Sequence, residues 1–71
     1  MAGIHALRMI KAMVRLGWTV ARVAGSHHIL TRTGHSSVTI PVKKGATLKE
    51  GTAKSILSQA GVSEDEFFDA Y

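Results

Sequence analysis

The sequence predicts a small α+β fold, a three-stranded antiparallel sheet with helices on one face, ordered helix, three strands, helix, short helix. Two observations carry this. Apolar residues recur at spacings of three and four over the first sixteen positions and again over 53–60, while residues 18–41 are rich in strand formers broken by glycine-bearing turns. Three successive strands with short links form a meander, and a meander leaves one face for helices to cover. A chain of 71 residues is expected to be one domain with no room for a second core. It has no cysteine, so neither a disulfide nor a thiolate zinc site supports it.

The first helix is expected from about Ile4 to Leu16. Leu7, Ile10 and Val14 lie on one side with Ala6 and Met13 beside them, Arg8, Lys11 and Arg15 lie opposite, and Gly17 is placed to end it. Those cations interrupt any signal-peptide core, and nothing reaches membrane-spanning length, so a soluble cytoplasmic protein is expected. Strands follow at roughly 18–23, 27–33 and 36–41. Gly25-Ser26 turns between the first two, Thr33-Gly34-His35 joins the second pair, and Pro41-Val42 closes the last. Residues 43–51 read as a basic loop. Thr52 is the expected cap of a helix whose stripe is Ala53, Ile56, Leu57 and Ala60, ended by Gly61. Ser63 with Glu66 three positions on is a capping box, with Val62 and Phe67 as its staple, and it predicts a short helix from Glu64 to about Ala70. Phe67, Phe68 and Tyr71 read as a closing apolar clasp.

Net charge is +4, and no Asp or Glu precedes Glu50. So one-sided a field favours a polyanion or an acidic protein surface. Within the basic region lies Gly25-Ser26-His27-His28-Ile29-Leu30. Strand alternation sends His27 and Ile29 to one face, His28 and Leu30 to the other, so the adjacent rings do not converge on a metal. No metal or other cofactor is expected. Imidazole exchanges protons near neutral pH, and RNA carries its own nucleophile in the 2′-hydroxyl. A histidine beside arginine or lysine can therefore cleave RNA unaided. The residues leave a second reading open, a non-catalytic double-stranded-RNA-binding module using the same basic surface. Arg22, Arg32, Lys43 and Lys44 are the candidate phosphate contacts. Ser26 is an auxiliary candidate that binds phosphate or orients His27, and His28 is another. Gly25 shapes the strand entry, and Trp18 anchors helix to sheet.

The chain also resembles the HicA toxin family of type II toxin–antitoxin systems. The likeness rests on an ordered set: Leu16-Gly17-Trp18, Arg22, Gly25-Ser26-His27, Val38-Thr39-Ile40-Pro41-Val42, Leu48-Lys49-Glu50-Gly51-Thr52, Ser55-Ile56-Leu57, Gln59-Ala60-Gly61, and the acidic start after Ser63. It implies a double-stranded-RNA-binding-domain-like fold and an mRNA interferase whose catalytic histidine is His27. It also implies a HicB-type antitoxin as partner, through which alone operator DNA would be contacted. Two positions depart from the pattern. Leu30 stands where many members carry an aromatic residue, and Lys43 where many carry a histidine or other polar group.

Overall fold

In the computed structural model, residues 3–43 and 47–71 are described. The elements are β1 (Ile4–His5), α1 (Ala6–Arg15), β2 (Thr19–Ala24), β3 (His27–Thr31), β4 (Val38–Pro41), β5 (Thr47–Leu48), α2 (Glu50–Ala60) and α3 (Glu64–Ala70). Strands β2, β3 and β4 form the expected antiparallel meander in that order. Leu30, Val38 and Ile40 are buried on one face together with residues of all three helices, while Arg22, His27, Thr31 and Thr39 stay exposed. One face is packed and the other is open.

The helices stop where backbone chemistry predicts. At the end of α1, Gly17 adopts φ +99, Trp18 N–H donates to the Met13 carbonyl at 3.0 Å and Gly17 N–H to that of Val14 at 3.0 Å. This is a Schellman closure, completed by the burial of both Met13 and Trp18. Gly61 closes α2 in the same way, with Val62 N–H on the Leu57 carbonyl at 3.0 Å. The α3 capping box is complete: Glu66 N–H donates to Ser63 Oγ at 3.1 Å, and Ser63 N–H to Glu66 Oε1 at 3.3 Å. Phe67 is fully buried and its ring meets those of Phe68 at 5.2 Å and Tyr71 at 5.3 Å, while Phe68 meets Tyr71 at 6.0 Å, so all three rings join the clasp although Phe68 keeps one side exposed.

Several boundaries and one helix face differ from expectation. Residues Ile4 and His5 are extended rather than helical, and Ile4 pairs with Leu48, His5 with Thr47. The segment read as a loop therefore contains a strand, and it ends at Glu50. Thr52 lies inside α2 rather than capping it; the N-cap is Lys49, which has no side-chain cap bond. Strand β3 ends earlier than expected, at Thr31, and β4 begins only at Val38.

On α1 the buried side is Ala6, Met9, Ile10, Ala12 and Met13, while Leu7 is 59% and Val14 47% exposed. The buried stripe is rotated from the expected one because α3 also packs on this helix. Burial on that side takes in Ala12, and Leu7 and Val14 turn outward. Arg8 and Arg15 are likewise drawn to α3: Arg8 Nη2 donates to the Tyr71 carbonyl at 2.8 Å, Arg15 Nη1 to that of Ala70 at 2.6 Å, and the Arg8 guanidinium stands 4.0 Å over the Tyr71 ring.

Candidate active site

His27 opens β3 directly after the Gly25-Ser26 turn. Gly25 has φ +60, a left-handed geometry that a side chain resists, so glycine here sets where the strand begins. The ladder places Ala24 and Pro41 directly across from His27 on its two sides. The Ser26 carbonyl accepts from the Val42 N–H, which ties the turn before His27 to the chain leaving β4. Ser26 thus contributes through its backbone to holding this corner, and it brings Lys43, the next residue along, to the same end of the sheet.

Arg22 reaches the same face through a bulge. Val20 pairs with Leu30, but the next partner of Ile29 is Arg22 rather than Ala21. One extra residue in β2 reverses the alternation. Were Ala21 paired with Ile29 and not skipped, Arg22 would face the core, opposite His28. With the bulge Arg22 lies on the open face, diagonal to His27 across the ladder, a neighbour at about 7–8 Å. Thr39, across from Ile29 on the other side, is the corresponding diagonal neighbour.

The remaining sequence candidates divide. His28 points to the packed face between Val23 and Ile40, half-buried, with a buried Nδ1 that has no hydrogen-bond partner. It is turned away from His27, as alternation requires. Leu30 is fully buried, so the departure from an aromatic at that position is a matter of packing. Trp18 is 2% exposed and belongs to the core; its ring meets His35 edge-on at 5.5 Å. His35, which reads in the sequence as turn decoration, therefore covers Trp18.

Arg32 follows the far end of β3 and lies against Gly17, where an added Cβ would meet its Nε at 3.3 Å. It lies five positions along from His27, roughly 16 Å on a strand, so it does not join the His27 cluster. Lys44 lies outside the described residues.

The structure adds neighbours that spacing did not single out. Pro41, Lys43, Thr47, Leu48, Lys49 and Thr52 line a cavity of about 320 Å³ beside His27's partner Pro41. Lys49 reads in the sequence only as one cation among many, and it was the unexpected strand β5 that brought it here. Among the described residues the one ion pair is Lys54–Glu50 at 3.0 Å on the exposed side of α2. The hydrogen bond from Lys54, and then its charge, hold the Glu50 carboxyl below the ordinary carboxylate range. No described carboxylate neutralises Arg22, Lys43 or Lys49.

A family model for the HicA toxin of bacterial toxin–antitoxin systems matches residues 8–62. The chain belongs to the HicA toxin family. Against individually curated proteins nothing matches. The HicA match spans α1 through α2, and so takes in His27, Arg22, Lys43 and Lys49. Membership makes this chain the toxin side of a toxin–antitoxin pair, in a family generally made of RNase toxins. Among the described residues no helix of this HicA member is long and apolar enough to cross a membrane.

Proposed function

We propose that the chain is a HicA-type endoribonuclease that cuts mRNA at His27 by metal-independent acid–base chemistry and is neutralised by a HicB-type antitoxin. The observation that carries this reading is the position of His27: exposed on the open sheet face, with Arg22 diagonal to it and Lys43 following its ladder neighbour Pro41. In the proposed step the His27 imidazole takes the proton of a ribose 2′-hydroxyl. The 2′-oxygen forms a bond to the adjacent phosphorus, and the bond from phosphorus to the 5′-oxygen breaks. The leaving oxygen is protonated by solvent or by the same imidazole. Arg22 and Lys43 stabilise the negative charge that builds on the phosphoryl oxygens. Histidine supplies the proton transfer and the substrate supplies the nucleophile, so the scheme calls on no metal.

The antitoxin reading rests on the same surface. An open, carboxylate-free cationic face suits an acidic protein as well as RNA, and a partner seated there blocks the substrate by occupying its place.

The test compares wild type with His27→Ala, both freed of antitoxin, on all-ribo RNA and on RNA with a 2′-deoxy nucleotide at the cleaved position. Wild type is expected to cut only the all-ribo strand, to do so in EDTA, and to leave a 2′,3′-cyclic phosphate or its opened product. His27→Ala is expected to bind RNA with little loss and to cut neither. RNA that binds folded wild-type protein and stays intact would establish the non-catalytic module instead.

A further inference from the structure

A second concave surface runs along β4 and includes Thr39 of the face that carries His27, and its chemistry differs from that of the lysine-lined cavity. Between β4 and α2 runs a groove of about 450 Å³ lined by Ser37, Thr39, Thr52, Ser55 and Gln59, with Ile56 as its apolar floor. On α2 the polar residues recur at i, i+3 and i+7, a stripe beside the buried one of Ala53, Ile56, Leu57 and Ala60. The two stripes divide the helix: one packs on the core, and the other overlooks the outer side of β4.

We propose that this groove is a base-reading subsite for single-stranded RNA flanking the cleaved phosphate; the proposal rests on the nuclease reading above. Three features argue for a base here rather than a phosphate. First, the lining carries four hydroxyls and one amide but no charge, so it lacks the cations a phosphate would seek. Hydroxyls and amides act as both donors and acceptors, the equipment that discriminates base edges. Secondly, the groove is continuous with the cationic region, because Thr52 lines both it and the cavity of Lys43 and Lys49. Thirdly, Thr39 on its wall is diagonal to His27 across the ladder, a neighbour at about 7–8 Å, roughly the span of one nucleotide.

The groove is also partly organised in advance. Gln59 Nε2 donates to Ser55 Oγ at 3.4 Å, which holds the amide on the groove side and leaves the Ser55 hydroxyl hydrogen free to donate outward. A backbone phosphate can therefore sit among the lysines while the attached base turns into the β4–α2 groove.

The test reads base choice separately from rate. A randomised single-stranded RNA pool is cut by wild type and by Ser55→Ala, Gln59→Ala and Gly51→Gln, and the product ends are sequenced. Ser55 and Gln59 are exposed, and alanine is a good helix former, so these variants keep the fold. A Cβ at helical Gly51 meets no atom within 4 Å, so glutamine there adds bulk in the groove without strain. Wild type is expected to prefer certain bases at one position next to the cut, and each variant to reduce that discrimination by about 5- to 100-fold. Lys43→Ala is expected instead to lower cleavage of all sequences alike.

Wild type cutting without base preference, or with a preference unchanged in all three variants, overturns the groove proposal and leaves the nuclease reading intact. If wild type cuts nothing, the nuclease reading falls, and the groove is judged by binding of the four homopolymeric RNAs. A ranking among them that the three variants flatten supports it; a ranking they leave unchanged, or no RNA binding at all, overturns it.

Discussion

Arg22 stands opposite Ile29 in the β2–β3 ladder, although straight counting from the Val20–Leu30 pair would put it opposite His28. That the ladder skips Ala21 decides whether this cation is on the open face or pressed against the core. Deleting Ala21 should leave a regular ladder with the same pairs, Arg22 opposite Ile29 and Val23 opposite His28. The expected result is a folded protein with a cooperative urea transition by circular dichroism and with RNA binding kept, because Arg22 stays on the open face. Arg22→Ala should also fold, but weaken RNA binding across sequences and reduce the salt slope of log K by about 1. An Ala21 deletion that folds yet binds RNA as weakly as Arg22→Ala would show that the bulge itself, and not only the side of the sheet on which Arg22 lies, shapes the site.

Trp18 offers a sharp stability prediction. A domain of this length has roughly 4–10 kcal/mol in total, and truncating a buried tryptophan to alanine costs about 3–5 kcal/mol. Trp18→Ala should therefore lose about a third or more of the domain's stability and show a steeply lowered urea midpoint, while Trp18→Phe should lower the midpoint by less. If Trp18→Ala kept its urea midpoint and lost only RNA affinity, a base-stacking role would replace the core role.

Gly17 combines two constraints that one cycle of variants separates. Its φ of +99 costs an alanine about 1–2 kcal/mol, and a new Cβ meets Arg32 Nε at 3.3 Å. Gly17→Ala should be destabilising in the wild-type background and less so with Arg32→Ala, measured as urea midpoints at constant slope. Equal effects in both backgrounds would mean that the guanidinium simply moves aside.

The capping box at Ser63 should behave as a local device. Ser63→Ala is expected to cost about 1 kcal/mol, a fall of roughly 4–8 °C in Tm for a domain of this size. Glu66→Gln retains an acceptor for the Ser63 N–H and should lower Tm by less. Cleavage of RNA at 25 °C should be unaffected by either, since α3 packs on α1 and lies apart from the open face of the sheet.

Much of this was legible from residues alone, and what was missed has physical reasons. The meander, both glycine helix stops and the capping box are written in local chemistry, where one residue type at one position decides the backbone. The β1–β5 pair could not be read, because two residues on each side carry no periodicity. The stripe of α1 was rotated since spacing alone does not say that a third helix will claim its flank. At the site, alternation correctly parted His27 from His28. It could not reveal the bulge that brings Arg22 round, because Val20-Ala21-Arg22-Val23 reads equally well in either register. Lys49 was hidden for another reason: it joins the His27 end of the sheet only through β5, the element that sequence pattern missed.

The β1–β5 pair has a bearing on the order in which the chain assembles. The ladders that carry His27 join residues close in sequence, and such hairpins form in microseconds. Ile4 meets Leu48 across 44 positions (48 minus 4), and the His5 N–H reaches Tyr71 Oη across 66. Those closures fix far more chain and form against a larger entropy loss. The sheet can therefore take shape early, whereas α1 is secured only when the distant end of the chain arrives. A lysine-lined cavity that depends on Leu48 and Lys49 is completed in that same late event, so the cationic surface becomes whole only as the chain finishes folding.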